Sequence, residues 1–358
     1  MIEQYIEQRG DFLLSCESVD ELTTYLRQNA WINVDEEVVG VKIAGDGNMN
    51  CTLRVRTNQR SFIVKQSREW VEKYPDIPAP EHRRLGEIEF YELVAKDSAV
   101  ATMMPGLLNV DRINRVAQFT DLGEAADYSS VYVEPDLVTK ILPELCRWLR
   151  QLHDIEFVVS ERARLSNRDM RDLNHEYLYH FPLSNTNEFN LDEFTPGLQV
   201  VGDTLKNNTE YVDAIARLGK IYLGEAEDDD LPTALLHGDF FPGAWLRGSG
   251  VSFYVIDPEF CFFGPREYDV GVLIGHLHLA NVAQAVIDSV MEHYAGSTTG
   301  AALDVALVYS FAGMEIMRRI MGVAQLPLEA SLARKTRLLE VSEKLVLDWW
   351  RLVKNRAG

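Results

Sequence analysis

Cysteine is scarce in this chain and scattered. Cys16, Cys51, Cys146 and Cys261 form no CxxC pair, which argues against a disulfide framework or a zinc site and fits reduced thiols in a reducing compartment. Positive charge is also in short supply. The 35 Lys and Arg stand against 55 Asp and Glu, a formal net charge of −20, and that field repels nucleic acid and anionic membranes. A polyanionic ligand would need a site that gathers its own cations. Long apolar runs are missing too. One uncharged stretch, 270–287, is near the lower limit for crossing a bilayer, but it carries two His, an Asn and a Gln and reads as a buried helix. There is no internal repeat and no low-complexity linker. The opening MIEQYIEQRG mixes charges from its third residue, unlike a signal peptide, so a cytoplasmic protein is expected.

What is present suits an ordinary globular protein. The chain has 358 residues, 46% apolar and 25% charged, enough for two domains or two large lobes with buried cores. Residues 1–30 read as helical: Ile6, Leu13 and Leu14 share a spacing, and Ser18 is placed to cap a second helix ending near Arg27. Strand patterns follow at 38–44, 51–55, 61–65 and 116–119, the first two joined by the turn-forming GDGNMN at 45–50. Pro75, Pro78 and Pro80 break the chain before a helix over 81–96. After Asp121-Leu122-Gly123 the pattern turns helical. Leu142, Leu145, Leu149 and Leu152 share one face, the one clear strand pair is 234–236 with 252–256, and helices run from 270 onward. The expected fold class is α+β, arranged in two lobes. It has a small antiparallel-sheet lobe over 1–122, a larger mainly helical lobe over 123–358, and a hinge near 122.

Two segments of the larger lobe carry chemistry. HGDFFPGAW spans 237–245 and DPEF spans 257–260, each following an apolar strand. That arrangement predicts Asp239, Asp257 and Glu259 at one edge, a cluster that is costly unless cations neutralise it. Magnesium is commonly held by one or two carboxylates plus substrate phosphates, which suits Asp257 and Glu259, while Asp239 is placed to deprotonate an attacking hydroxyl. The bland alternative is two acidic turns on a sheet edge. Upstream, Gly45, Gly47 and Asn48 lie in the hairpin, where glycine lets backbone N–H groups approach phosphates. Lys65 ends the strand Phe62-Ile63-Val64, and Glu87 or Glu89 on the following helix is a candidate partner for it.

In this order and spacing the parts resemble protein-kinase-like phosphotransferases of small molecules, the aminoglycoside phosphotransferase and choline kinase superfamily. LRQLH at 149–153 resembles a helix of those enzymes. Within the superfamily the likeness is greatest to the 5-methylthioribose kinase family. It is carried by GDGNMN, IVKQ (63–66), FTDL (119–122), NRDM (167–170), HFP (180–182), DPEFCFFGP (257–265), YDVG (268–271) and MRRIMGVA (317–324). The resemblance implies a two-lobed protein-kinase-like fold with ATP and Mg²⁺ as cofactors, Asp239 as catalytic base and Asp257 and Glu259 as magnesium ligands. It implies that Gly45, Gly47, Asn48 and Lys65 hold phosphates, with Glu89 as the lysine partner by register and Glu87 remaining open. Thr120 and Leu122 meet adenine through backbone groups beside Phe119, and Arg318, Arg319 and Trp245 face the acceptor. Asp269 either braces the catalytic loop or caps a helix.

Two departures from those relatives stand out. Phe241 replaces a His, and Ala244 stands where Asn or Ser is usual, so no side-chain oxygen is available there for a second magnesium. The leading expectation is an ATP-dependent kinase of a small sugar-like metabolite such as methylthioribose. The aromatic loop leaves room for another acceptor (an aminoglycoside, a choline-like alcohol or another pentose) or for lost activity, against which the intact acids and Lys65 argue. His276 and His278, two apart on a helix, read as core rather than metal-ligating. Trp349-Trp350 reads as packing or as the contact of a homodimer. The expected partner is a small-molecule hydroxyl acceptor, not nucleic acid or membrane.

Overall fold

The computed structural model describes residues 12–45, 49–226, 231–248, 252–295, 302–326, 328 and 330–357. The chain divides into two compact units, Met1–Ala125 and Ala126–Gly358, a boundary a few residues beyond Leu122.

The first unit is built on five antiparallel strands in the order β1-β2-β3-β7-β6. Helix α1 (Val19–Gln28) precedes them, and the sheet strands are β1 (Val38–Ile43), β2 (Cys51–Thr57) and β3 (Ser61–Gln66), then β6 (Leu107–Asp111) and β7 (Val116–Thr120). Side chains alternate across a strand. Thus β2 buries Cys51, Leu53, Val55 and Thr57, while β3 buries Phe62, Val64 and Gln66 and turns Ile63 and Lys65 to the opposite face. Helix α1 lays Leu22, Tyr25 and Leu26 on the first of these faces, against Leu53, Val55, Phe62, Val64 and Val116. Each such side chain buried in full contributes about 1.5–3 kcal/mol, far more than the helix propensity of ten residues could supply. The inward Gln66 is satisfied on every side: Nε2 donates to Phe12 O (2.7 Å) and Asn114 O (2.9 Å), and Oε1 accepts from Leu14 N (2.8 Å).

Some local expectations are corrected here. Ser18 sits at the N-cap of α1 but its side chain makes no capping bond. No helix forms over 12–17, and Ile6 lies outside the described residues. Around the prolines the chain forms a short hairpin of β4 (Trp70–Val71) and β5 (Tyr74–Pro78), a two-stranded edge where missing amides are tolerated. Helix α2 (Arg83–Val94) then starts close to where expected. Strand β6, LLNVD, went unread because its short polar-interrupted sequence lacks a clean alternation; β7 pairs with it through an irregular register.

The second unit is mainly helical. Helix α3 (Leu142–His153) buries Leu142, Leu145, Leu149 and Leu152 as their spacing predicts. Helix α4 (Thr209–Leu223) is capped by the Asn208 side chain, which accepts from Tyr211 N at 3.2 Å, and ends at Gly224 with φ +71°. The expected pairing of 234–236 with 252–256 is overturned. Strand β8 (Thr233–Leu236) pairs with β11 (Phe262–Pro265), and β9 (Trp245–Arg247) with β10 (Phe253–Val255). The shorter loop of the β9–β10 hairpin costs less closure entropy, and the Gly-Pro end of β11 hid a strand from the sequence pattern.

Only 270–279 of the stretch 270–287 lies in a buried helix, α5 (Glu267–Leu279), which is apolar nearly all round, as core helices are; the chain then breaks before α6 (Gln284–Ala295). Helix α5 packs on α7 (Val305–Met321) through Gly271 and Gly275. A Cβ at Gly271 would lie 2.5 Å from Phe311 Cβ, and one at Gly275 would lie 2.8 Å from Glu315 Cβ. The glycines thus set how closely α7 approaches. In the last helix, α8 (Leu332–Ala357), Trp349 is buried and Trp350 packs on the same core, so the tryptophan pair serves packing. No helix among the described residues is long and apolar enough to cross a membrane.

Candidate active site

In the first unit the lysine and a glutamate meet as the strand and helix patterns require. Lys65 Nζ lies 3.4 Å from Glu87 Oε1 and 5.7 Å from the centre of the Phe119 ring. Glu87 is fully buried and also pairs with Arg84, itself fully buried. The partner chosen by register, Glu89, pairs instead with Arg112 Nη1 at 2.8 Å. Two residues apart on a helix means roughly 200° of rotation, so these two carboxylates point to opposite sides and Glu87 has the sheet-facing phase. Gly45 takes φ +74°, a conformation that suits glycine at the hairpin's start. Gly47 and Asn48 lie outside the described residues. Thr120 donates its amide to Gly106 O (2.9 Å).

Sequence reasoning missed Arg83. Its buried guanidinium holds the far shoulder of the glycine hairpin, donating to Met49 O (2.5 Å) and Asn50 Oδ1 (3.0 Å) while also reaching Trp70 O (3.2 Å) and Pro80 O (2.9 Å). No local pattern marks it.

In the second unit Asp269 braces the HGD loop. Its Oδ2 accepts from His237 N (2.7 Å) and its Oδ1 from Gly238 N (3.0 Å). It sits inside α5 rather than at the helix cap, which resolves the two roles left open for it. His153 of the LRQLH helix supports it, with Nε2 3.2 Å from Asp269 Oδ2 and Nδ1 2.8 Å from Tyr294 Oη. His237 Nε2 donates to Ile256 O at 2.9 Å, tying this loop to the start of DPEF. Asn167, the first residue of NRDM, donates to Glu259 O (2.9 Å) and Cys261 O (2.8 Å) and so clamps the DPEF turn. Gly238 has φ +86°, and a Cβ there would fall 2.1 Å from Phe260 O. Gly238→Ala is therefore expected to destabilise the protein by at least ~3 kcal/mol in urea denaturation. An alanine variant as stable as the parent would contradict this geometry.

Trp245 departs from expectation. It is fully buried, with its ring 5.2 Å from Phe240, which is in turn stacked on Trp148 at 5.5 Å. Trp245 therefore supports the loop from beneath rather than facing an acceptor, because a ring of that size on an inward strand position is worth most in the core. Phe241, half-buried, is the aromatic that meets the polar site: its ring lies under Arg319 at 4.8 Å and 5.5 Å from His276. Ala244 is buried and its carbonyl accepts from Ile256 N at 3.0 Å.

Arg318 and Arg319 converge on Asp239. Their Nη2 atoms lie 2.8 Å and 3.0 Å from its Oδ1. Behind them Glu315 takes both Nε atoms, Arg318 Nε at 2.6 Å on Oε2 and Arg319 Nε at 2.8 Å on Oε1. His276 Nε2 lies 2.8 Å from Glu315 Oε1, and its Nδ1 lies 2.7 Å from Tyr132 Oη. The result is a paired cluster, two carboxylates against two guanidiniums. Burial works to raise the Glu315 carboxyl, but Arg318 and Arg319 overcome it and hold it well below the usual range. Burial likewise opposes charge on Arg318, and Glu315 and Asp239 more than restore it.

Burial pulls the imidazoles of His175, His276 and His278 below the usual histidine range, against the pull of Glu315 in the case of His276. The unfolded chain then binds more protons than the folded one below about pH 6.5, so stability falls as pH drops through that value. The expected result is a Tm that rises from pH 5 to pH 7; a Tm that is flat or falls over this window would overturn it.

Among the described residues no group of three or more His, Cys, Asp or Glu is arranged to hold a metal ion. Asp239 is engaged by the arginines, which leaves Asp257 and Glu259. Asp257 is held at φ +59° just past β10 and Glu259 is nearly buried on the clamped turn. Two hard oxygen donors suit a magnesium ion that takes its remaining ligands from phosphates and water.

The sequence profile of the phosphotransferase enzyme family matches residues 40–302. The chain belongs to that family. Among curated proteins it is similar to the methylthioribose kinase of Exiguobacterium sibiricum, 26% identical over 257 residues, covering 69% of this chain and 63% of that one. It is similar to the methylthioribose kinase of Pectobacterium atrosepticum at 26% over 279 residues, covering 73% and 65%. That of Bacillus velezensis is 23% identical over 342 residues, covering 83% and 84%. The chain thus spans just under two thirds of the length of the first two relatives. Among solved structures it is similar to a spectinomycin phosphotransferase (TM-score 0.55, 14% identity, 92% of this chain and 98% of that one). It is also similar to the ethanolamine kinase of Plasmodium vivax (TM-score 0.56, 12% identity, 95% and 92%). These likenesses establish the two-lobed kinase-like fold of a family member.

Proposed function

We propose that this family member is an ATP-dependent kinase of a small sugar-like metabolite, with methylthioribose as the leading acceptor. The observation that carries the reading is Asp239, an acid on a loop braced at two amides by Asp269 and held by two arginines. Its support is the naming of the curated relatives together with the kinase-like order of Lys65, Asp239, Asp257 and Glu259. The acceptor hydroxyl gives its proton to Asp239 as its oxygen bonds to the γ-phosphorus, and the bond from that phosphorus to ADP breaks. Lys65, steadied by Glu87, neutralises phosphate oxygens, with Gly45, Gly47 and Asn48 offering backbone N–H groups and the Thr120 carbonyl and Leu122 amide meeting adenine. Asp257 and Glu259 are the proposed ligands of Mg²⁺, which when bound offsets charge on the phosphates. Positioning and electrostatics supply nearly all of the rate enhancement. A protein of the cytoplasm acting on a soluble metabolite fits this reading.

ADP release from Mg–ATP, measured with methylthioribose, other pentoses, choline and an aminoglycoside, tests it. Methylthioribose-dependent turnover is expected. Nucleotide binding without transfer to any acceptor would sink the proposal and favour a silent nucleotide-binding module. Ala244 and Phe241 favour one further reading, a pentose other than methylthioribose, which the same panel detects. Lys65→Met is expected to lower kcat/KM for ATP about 100-fold, read by the same ADP assay; parental kinetics would remove Lys65 from the mechanism.

A further inference from the structure

Asp239 has two carboxylate oxygens with different surroundings. Oδ1 accepts from both Arg318 and Arg319, while Oδ2 has no hydrogen-bond partner among the described residues. The side chain keeps 18% exposure, against 8% and 7% for the arginines. The arginines owe this arrangement to Glu315. Residues three and four further along a helix share its face, so one carboxylate at 315 reaches Nε of both 318 and 319 and aims their outer nitrogens the same way. Glu315 is fully buried on α7, brought up against α5 where Gly275 has no side chain. There His276 meets its Oε1, and Tyr132 meets the other nitrogen of His276. The ordering is Tyr132, His276, Glu315, the two guanidiniums, Oδ1 of Asp239, all within the second unit.

We propose that Glu315, kept in place by His276 and Tyr132, is a positioning residue that presents both guanidiniums to Oδ1 of Asp239 and leaves Oδ2 as the oxygen that takes the acceptor's proton. The assignment of Oδ2 rests on the kinase reading above. In the step, the acceptor O–H bond breaks and an O–H bond forms at Oδ2. The freed electron pair makes the new O–P bond to the γ-phosphorus of ATP, and the P–O bond to ADP breaks. With Oδ1 held by two cations, the carboxylate cannot rotate to present its occupied oxygen, so the proton's destination is set before the acceptor binds.

Glu315→Gln tests this in the full chain. The amide accepts from one Nε–H but turns its own N–H₂ toward the other, so one guanidinium is expected to leave Oδ1. A crystal structure of the variant should show that departure. kcat with the active acceptor should fall about 30-fold while KM for ATP stays within about twofold, a split that general loosening of the fold would not give. Both guanidiniums still on Oδ1, or a parental kcat, would overturn the inference. Should Glu315→Gln fail to fold, Tyr132→Phe removes only one hydroxyl and is expected to lower kcat about fivefold at unchanged KM for ATP. A parental kcat in Tyr132→Phe would then overturn the proposed chain. If the parent protein phosphorylates no acceptor, the kinase reading falls and takes the Oδ2 assignment with it, an outcome distinct from an active parent with unaffected variants.

Discussion

Asp239→Asn is expected to lower kcat by about 10³-fold while leaving nucleotide affinity within about twofold. The substitution keeps the shape of the side chain and one oxygen for Arg318 and Arg319, whose Nη2 atoms lie 2.8 Å and 3.0 Å from Oδ1. What it removes is the second oxygen's capacity to accept a proton, and with it one of the two negative charges that balance the guanidiniums. The site should therefore still assemble and bind Mg–ATP, and the loss should appear in turnover. Steady-state kinetics paired with calorimetric titration of ATP would show both halves. Near-normal turnover would remove Asp239 as the proton acceptor.

The second large effect is on stability. Asp269→Ala is expected to destabilise the protein by about 4 kcal/mol, seen as a lower urea midpoint at unchanged slope. Asp269 is completely buried, accepts from the amides of His237 and Gly238, and faces His153 Nε2. Alanine leaves two buried N–H donors and an imidazole nitrogen without their acceptor, and unsatisfied buried groups cost more than the net worth of the bonds they made. Asp269→Asn should fall between, at about 2 kcal/mol, because an amide has one accepting oxygen where the carboxylate has two. A loss below about 1 kcal/mol in the alanine variant would show that the loop holds its shape without this brace.

Much of the chemistry was legible along the chain because its carriers are local. The alternation of 61–66 turns Lys65 away from the core that receives Val64, the uncharged run at 270–287 reads as a buried helix and is one as far as Leu279, and the order of HGD and DPEF places acids just after short strands. The brace by Asp269 was legible as one of two roles, since YDVG opens a helix directly after DPEFCFFGP. Less could be read where two residues compete for one place. Glu87 and Glu89 carry the same charge on the same helix, and only the angle at which α2 meets the sheet decides that Glu87 faces Lys65 while Glu89 goes to Arg112. Trp245 was read as facing an acceptor because its loop is functional, whereas its place on an inward position of β9 sends it into the aromatic core with Phe240 and Trp148.

The amino-acid order by itself determined the residue types available to the site, the strand and helix periods that carry them, and the membership in a phosphotransferase family that those motifs express. Only the tertiary structure decided that Arg318 and Arg319, some eighty residues from Asp239, would hold its Oδ1, and that Glu315 and His276 would hold them in turn. The reason is physical. A helix period states which face a residue shares with its near neighbours, but which partner that face meets depends on how closely two helices pack. Here that closeness is set by Gly271 and Gly275, through side chains they do not have.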